Sequence, residues 1–307
     1  MIARQRPRFG ITAAGLLVLA VVAAIGLAGC SPDTVPSTRT GLRIVTTTTV
    51  FADIIRNVGG DFVTVESIIP AGVGPEDYEP KPDDAKALVG ADLIVSNGAG
   101  LDDFLDKLIA AAGEGSAHRL VLADGIPTLT VDGEVNPHFW LDPSLVADHY
   151  LPAISASLSA LDGAHSAAFA ANSSAYAGKI RAMDEVNRTS LAAVPEANRK
   201  LVTFHDAFPY FAAHYGFQLV GVILPNVGQE PSAAQLARLV ETVKGSGVKA
   251  VFSESQFNPK LVQTLADEAG VTRVVTTLYN DTVGPPPQDT YLGMMTWDVG
   301  EIVKALG

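Results

Sequence analysis

The sequence contains a single cysteine among 307 residues. Disulfide frameworks, cysteine-based zinc sites and iron–sulfur clusters each need several thiolates, so all three are excluded. Charged residues make up only 18% of the chain, and 21 Lys and Arg face 33 Asp and Glu. Nucleic-acid binding requires basic side chains that neutralise phosphates, so this balance argues against it. A metal site in this chain must use histidine and carboxylate side chains.

Apolar residues make up 48% of the sequence, which is enough for a packed core. The length allows two domains of ordinary size. We therefore expect most of the chain to fold.

The first 29 residues have the pattern of a secretory signal: three arginines, an apolar run over 11–27 and then small residues. A retained membrane anchor is the alternative, because the run nearly reaches the length that spans a bilayer. The tetrapeptide LAGC at 27–30 resembles the bacterial lipobox, in which cysteine becomes the lipidated first residue. We predict a signal peptide over 1–29, lipidated Cys30 and a tether over 30–41. The protein would then lie on the outer face of the bacterial cytoplasmic membrane.

From residue 42 onward, short β-branched runs alternate with helical patterns in two successive series. This alternation predicts parallel sheets with crossover helices. Strands are predicted at 42–50, 62–69, 92–96 and 119–123 in the first series, and at 200–204, 218–224, 249–253 and 272–278 in the second. The predicted fold class is α/β with two lobes, each a mostly parallel four-stranded sheet flanked by helices.

A helical region joins the two lobes, which gives an N-terminal lobe over 42–141, a linking region over 142–195 and a C-terminal lobe over 196–307. Within the linking region, residues 164–194 are rich in alanine and lack proline until Pro195. The pattern predicts one long, rigid helix that joins the lobes. Two shorter helices, broken near 172–174, are the alternative.

Two of the six histidines occupy positions typical of ligands. His205 follows a predicted strand directly, and His138 lies in a proline-flanked loop after the last strand of the first lobe. Ligands of open α/β sheets gather at the carboxyl ends of strands, so both are predicted to bind a metal. His214 follows His205 by nine residues on the same predicted helix, so the two side chains should lie on opposite faces of that helix. We assign it, with His118, His149 and His165, to packing or to the surface.

Carboxylates also follow predicted strands in both lobes. Asp281 follows the last strand, and residues 74–80 (GPEDYEP) contain the three acids Glu76, Asp77 and Glu79. Two neutral imidazoles and two carboxylates would neutralise a divalent ion, in a mixed N/O set suited to Zn²⁺, Mn²⁺ or Fe²⁺. The acids of the first loop alone do not identify which one is the ligand.

These motifs resemble the metal-binding lipoproteins of bacterial zinc and manganese ABC importers, over essentially the whole chain from residue 42. The resemblance rests on residues 136–143 (NPHFWLDP), residues 204–211 (FHDAFPYF), and Asp281 with the segment 289–295. It implies that one ion is held between two lobes and delivered to a membrane permease powered by a cytoplasmic ATPase.

The resemblance also implies a ligand set, with one departure from the family pattern. The family has histidine in a DPHxYEP segment where this chain has Glu76, so the implied ligands are Glu76, His138, His205 and Asp281. Asp77 stays open as an alternative first ligand. The segment 111–135 contains only one histidine, so the histidine-rich loop of zinc-specific members is missing. Both features favour Mn²⁺ or Fe²⁺, while Zn²⁺ stays a candidate.

We expect a monomeric binding protein that is not an enzyme. A secreted zinc hydrolase is the first alternative, but the sequence has no HExxH segment and four ligands leave little room for a substrate water. A surface adhesin with a structural metal is the second alternative, although nothing in the sequence marks an adhesive patch.

Overall fold

A computed structural model describes residues 41–76, 78–113, 117–131, 133–224 and 231–307. These residues belong to one compact unit, Thr40–Gly307. The predicted signal peptide, Cys30 and Asp77 lie outside the described residues. Within the described ranges, no helix combines the length and the apolar character needed to cross a membrane.

The N-terminal lobe is built on a parallel four-stranded sheet with strands β1 (Leu42–Thr46), β2 (Val63–Ser67), β3 (Leu93–Ser96) and β4 (His118–Val121). The strands lie in the order β2-β1-β3-β4. The helices of this lobe are α1 (Thr49–Gly59), α2 (Pro82–Leu88) and α3 (Phe104–Ala112). Ile44 and Val45, adjacent on the central strand, are both fully buried because helices or loops cover each face of the sheet. The predicted four-stranded parallel sheet is confirmed for this lobe.

A short antiparallel hairpin follows β4 and was not predicted. Its strands are β5 (Thr130–Val131) and β6 (Glu134–Val135), and the turn uses Gly133 at a φ of +91°. The sequence signal was the Asp-Gly pair at 132–133, which favours tight hairpin turns because glycine adopts positive φ without steric cost. His138 therefore follows this hairpin, and not a strand of the main sheet as predicted.

The linking region contains α4 (Leu151–Leu161), reached through an α-helical turn (Pro143–Leu145) and a π-helical turn (Val146–Tyr150). It continues into α5 (Ser166–Leu191), a single helix of 26 residues and therefore about 39 Å long. The predicted long helix is confirmed and is unbroken at 172–174. It begins later than predicted because Gly163–His165 form a 3₁₀ turn.

The C-terminal lobe contains the four predicted strands in two parallel pairs. The strands are β7 (Lys200–His205), β8 (Gln218–Leu224), β9 (Ala250–Glu254) and β10 (Arg273–Leu278), with helices α6 (Pro209–Tyr215), α7 (Ala233–Ser246), α8 (Lys260–Ala269) and α9 (Tyr291–Leu306). Strand β7 pairs with β8 and β9 with β10, while β7 and β9 lie side by side. We predicted one four-stranded sheet in this lobe. Within the described residues, the backbone hydrogen bonds instead form two separate pairs of strands.

Three hydrogen bonds, two of them fully buried, connect the last helix and the loop before it to the N-terminal half. The Tyr291 hydroxyl donates to the Trp140 carbonyl at 2.8 Å, and the Trp140 indole N–H donates to the Asn280 carbonyl at 2.8 Å. The backbone N–H of Tyr291 donates to Asp53 Oδ2 at 2.9 Å. Because Trp140 and Asn280 lie close in sequence to His138 and Asp281, these contacts fix the two ligand loops relative to each other.

Candidate metal centre

The four side chains implied as ligands meet in one cluster. Glu76, His138, His205 and Asp281 each offer a ligand atom, and these atoms lie within 4.8 Å of one another. The His138, His205 and Asp281 side chains are buried, whereas a quarter of the Glu76 side-chain surface is accessible. With the lobe boundaries predicted from the sequence, the N-terminal lobe supplies Glu76 and His138, and the C-terminal lobe supplies His205 and Asp281.

Both imidazoles direct Nε2 into the cluster, where the two Nε2 atoms are 3.4 Å apart. Asp281 Oδ1 lies 3.5 Å from Nε2 of His138, and Oδ2 lies 3.6 Å from Nε2 of His205. Glu76 has the same arrangement, with Oε1 and Oε2 each 3.9 Å from one of the two nitrogens. Each carboxylate therefore presents one oxygen to each imidazole.

His138 is oriented by the asparagine at the start of its loop. Asn136 Oδ1 lies 3.1 Å from both the backbone nitrogen and Nδ1 of His138. Because Oδ1 accepts from the backbone N–H, it is an acceptor, and Nδ1 must carry the ring hydrogen that faces it. Asn97 also holds the loop, by donating to the Pro137 carbonyl at 2.9 Å. The Nε2 lone pair is thereby left to face the cluster.

His205 is the last residue of β7, and its Nδ1 lies 3.0 Å from Glu254 Oε1. Burial alone would lower the pKa of His205, but the carboxylates of Glu254, Asp281 and Glu76 outweigh it and raise the pKa to about 10. An imidazole surrounded in this way is a site that strongly favours positive charge.

Asp281 has the chemistry expected of a ligand that faces a cation. Burial alone would raise its pKa, but His205 and His138 outweigh burial and hold the pKa below the ordinary value. Its Oδ2 accepts from Gln256 Nε2 at 3.0 Å, while Oδ1 is buried without a hydrogen-bond partner. A buried carboxylate oxygen without a hydrogen bond is unfavourable unless a positive charge approaches it, so this atom fits a metal ligand.

The loop that carries Glu76 is docked on the turn that carries Asp281. The Gly72 N–H donates to Thr282 Oγ1 at 3.0 Å, and Thr282 Oγ1 lies 3.0 Å from Thr49 Oγ1. Gly74 has no side chain at a point where a Cβ atom would lie 3.4 Å from Asp281 Oδ2. This close approach lets Glu76 reach the cluster from the opposite lobe.

His214 lies outside the cluster, as do His118, His149 and His165. Its Nδ1 is 2.9 Å from Asp142 and its Nε2 is 2.8 Å from Asp184, so it ties α6 to the loop after Trp140 and to α5. Burial works against its charge, but the two aspartates raise the pKa of His214 to about 9. The prediction that His205 and His214 lie on one helix was wrong, because His205 ends β7 and α6 begins only at Pro209.

Sequence reasoning missed three polar residues that surround the C-terminal ligands: Glu254, Gln256 and Asn280. Asn280 Nδ2 donates to Glu254 Oε1 at 3.2 Å, and Gln256 Nε2 donates to Asn280 Oδ1 at 3.2 Å. The available signal was the position of Glu254 at the end of an apolar strand, the same criterion that selected His205.

A two-lobed α/β fold with two histidines and two carboxylates converging in its interior defines a metal-binding protein. The chain belongs to the family ZnuA, zinc-uptake complex component A periplasmic, which matches residues 44–305.

Individual relatives resemble the chain over nearly its whole length. It is 30% identical to the manganese-binding lipoprotein MntA of Halalkalibacterium halodurans, over 95% of this chain and 96% of MntA. It is 32% identical to the iron-binding protein YfeA of Yersinia pestis, over the full length of both. The structure of the periplasmic zinc-binding protein TroA from Treponema pallidum superposes with a TM-score of 0.80 at 28% identity, covering 87% of this chain and 99% of TroA. The names of these three proteins specify three different metals. Family membership therefore does not identify the metal, which has to be inferred from the ligand set.

Proposed function

We propose that this chain is the substrate-binding component of an ABC importer for a divalent transition metal. Its task is to capture the ion outside the cytoplasmic membrane and to deliver it to a permease powered by a cytoplasmic ATPase. The observation that carries this proposal is the convergence of Glu76, His138, His205 and Asp281 within 4.8 Å. Because the long helix Ser166–Leu191 should limit rotation of one lobe against the other, we expect the site to open and close by local ordering of the loops near Glu76 and Asp281.

The same geometry argues against a secreted zinc hydrolase. Catalytic zinc has three protein ligands and an open position for water or substrate, beside a general base. Here four side chains face one centre, and the buried oxygens of Asp281 together with those of Glu76 supply four oxygen donors. An ion held by all of them has no position left for catalysis.

The donor set favours Mn²⁺ or Fe²⁺ as the transported ion. Two imidazole nitrogens and four carboxylate oxygens match a six-coordinate, oxygen-rich site, whereas Zn²⁺ in structural protein sites is almost always four-coordinate. Zn²⁺ remains a strong competitor, because its affinity for mixed N/O sites generally exceeds that of Mn²⁺ and Fe²⁺.

Metal binding is tested on the purified unit Thr40–Gly307, after growth with zinc, manganese and iron all supplied. We expect elemental analysis to find about one bound transition-metal ion per chain. A free ion at 100 times its Kd should stabilise the native state by about 2.7 kcal/mol, which raises Tm by roughly 5–10 °C. A protein with no bound metal and an unchanged Tm would contradict the proposal.

We also propose that Cys30 is lipidated after removal of residues 1–29, which would hold the protein at the outer face of the cytoplasmic membrane. The support is the LAGC segment of the sequence and the description of MntA as a lipoprotein. Cys30→Ala should abolish lipidation and release protein from the membrane fraction or leave it unprocessed. Mass spectrometry of the wild-type protein provides the check: an intact signal segment with no lipid on Cys30 would disprove the anchor.

A further inference from the structure

Glu254 places a buried carboxylate directly behind one of the proposed ligands. It ends β9 and is 1% exposed, and Oε1 lies 3.0 Å from His205 Nδ1, on the side of the ring away from the cluster. The angles of this contact do not meet those of a hydrogen bond. Both Glu254 Oε2 and His205 Nδ1 are therefore buried without a hydrogen-bond partner. A small adjustment would therefore let His205 Nδ1–H donate a hydrogen bond to the Glu254 carboxylate.

Among the residues that the structure describes, Glu254 has no ion-pair partner other than the His205 ring. Its hydrogen-bond donor, Asn280, is neutral. Burial raises the pKa of Asp298 and the nearby Glu254 carboxylate raises it further, so Asp298 supplies no positive charge either. Burying a carboxylate is unfavourable unless a cation compensates for it. The compensating charge must come through the His205 ring, from the ring itself or from an ion bound to it.

A short network connects Glu254 to the second ligand of the C-terminal lobe. Asn280 donates to Glu254, and Gln256 donates both to Asn280 Oδ1 and to Asp281 Oδ2. The ends of β9 and β10 therefore support His205 and Asp281 together. A carboxylate behind a metal-binding histidine fixes the ring orientation and makes the nitrogen facing the metal a stronger donor.

We propose that Glu254 is a positioning residue for metal capture: it accepts the Nδ1–H of His205, keeps Nε2 directed into the cluster and balances the charge of the bound ion through the ring. This inference rests on the proposed function, because it assigns a role in binding the same ion. It adds a fifth side chain, one that never contacts the metal, to the four proposed ligands.

The proposal is tested by Glu254→Gln, which keeps the size and removes the charge. Mn²⁺ affinity, measured by competition with a chelating dye, should fall by about 10–100-fold with all four ligands intact. Asp298→Asn is the matched control, because Asp298 is equally buried and its Oδ1 accepts from the backbone N–H of Tyr279, away from His205. This control should stay within about twofold of the wild type.

A second measurement distinguishes positioning from a purely structural role. In ¹⁵N-histidine NMR spectra of the Zn²⁺-loaded wild type, His205 should show metal-bound Nε2 and a protonated Nδ1 with a strongly deshielded proton. In Glu254→Gln this proton should move upfield. Should Glu254→Gln fail to fold, the wild-type spectrum decides the question alone: Nδ1 bound to the metal, or a proton without the deshielding, would overturn the inference.

The outcomes separate this inference from the function on which it rests. Wild-type protein that binds neither Mn²⁺ nor Zn²⁺ would overturn the proposed function itself. Two other results would overturn only the role of Glu254. One is that Glu254→Gln binds metal as tightly as the wild type, and the other is that Asp298→Asn loses as much affinity as Glu254→Gln.

Discussion

Replacement of His138 or His205 by alanine is expected to lower the affinity for Mn²⁺ and Zn²⁺ by at least about 100-fold. Each substitution removes one of two Nε2 donors that lie 3.4 Å apart in the cluster. Loss of a direct ligand should cost more than the 10–100-fold typical of a residue that only supports a ligand. Isothermal titration calorimetry or dye competition measures the loss.

His214→Ala is the control for these two substitutions. His214 is a histidine in the same molecule, but its ring contacts Asp142 and Asp184 and lies outside the cluster. Its removal should lower Tm, because it leaves two carboxylates without their partner, while metal affinity on the folded protein should stay within about twofold. Equal losses of affinity from His138→Ala and His214→Ala would show that the cluster is not the binding site.

Glu76→Gln should lower Mn²⁺ affinity at least about tenfold, which corresponds to roughly 1.4 kcal/mol. The Glu76 carboxylate faces both imidazoles, with one oxygen 3.9 Å from each Nε2. Removing its negative charge penalises Mn²⁺, a harder ion that prefers oxygen donors. Glu76→His should instead raise the preference for Zn²⁺ over Mn²⁺, because imidazole is a softer ligand.

Competition titrations with Mn²⁺ and Zn²⁺ on the Glu76 variants test this prediction, with Asp77→Asn as the neighbouring control. Asp77→Asn should change affinity little. A large loss in Asp77→Asn with none in Glu76→Gln would mean that the first ligand had been assigned one residue too early. If neither substitution matters, the site has three protein ligands, and the open position would favour the hydrolase.

The order of strands and helices followed from local patterns, because burial imposes a repeat of two on strands and about 3.6 on helices. Residues 218–224 illustrate this, since the predicted strand and β8 coincide. The β5–β6 hairpin and the true start of α6 were missed, because a two-residue strand is too short for a periodic signal and the chain between His205 and Pro209 forms a turn.

The class of chemistry could be predicted from local features: one cysteine left histidine and carboxylate as metal ligands, and positions after predicted strands indicated His138, His205 and Asp281. The resemblance to importer lipoproteins added Glu76. The distances at which these four side chains meet, and the position of Glu254 behind His205, came only from the folded structure. The physical reason is that charge compensation depends on which groups burial brings within a few ångströms of one another. Residues so far apart in the chain carry no local pattern that specifies such a distance.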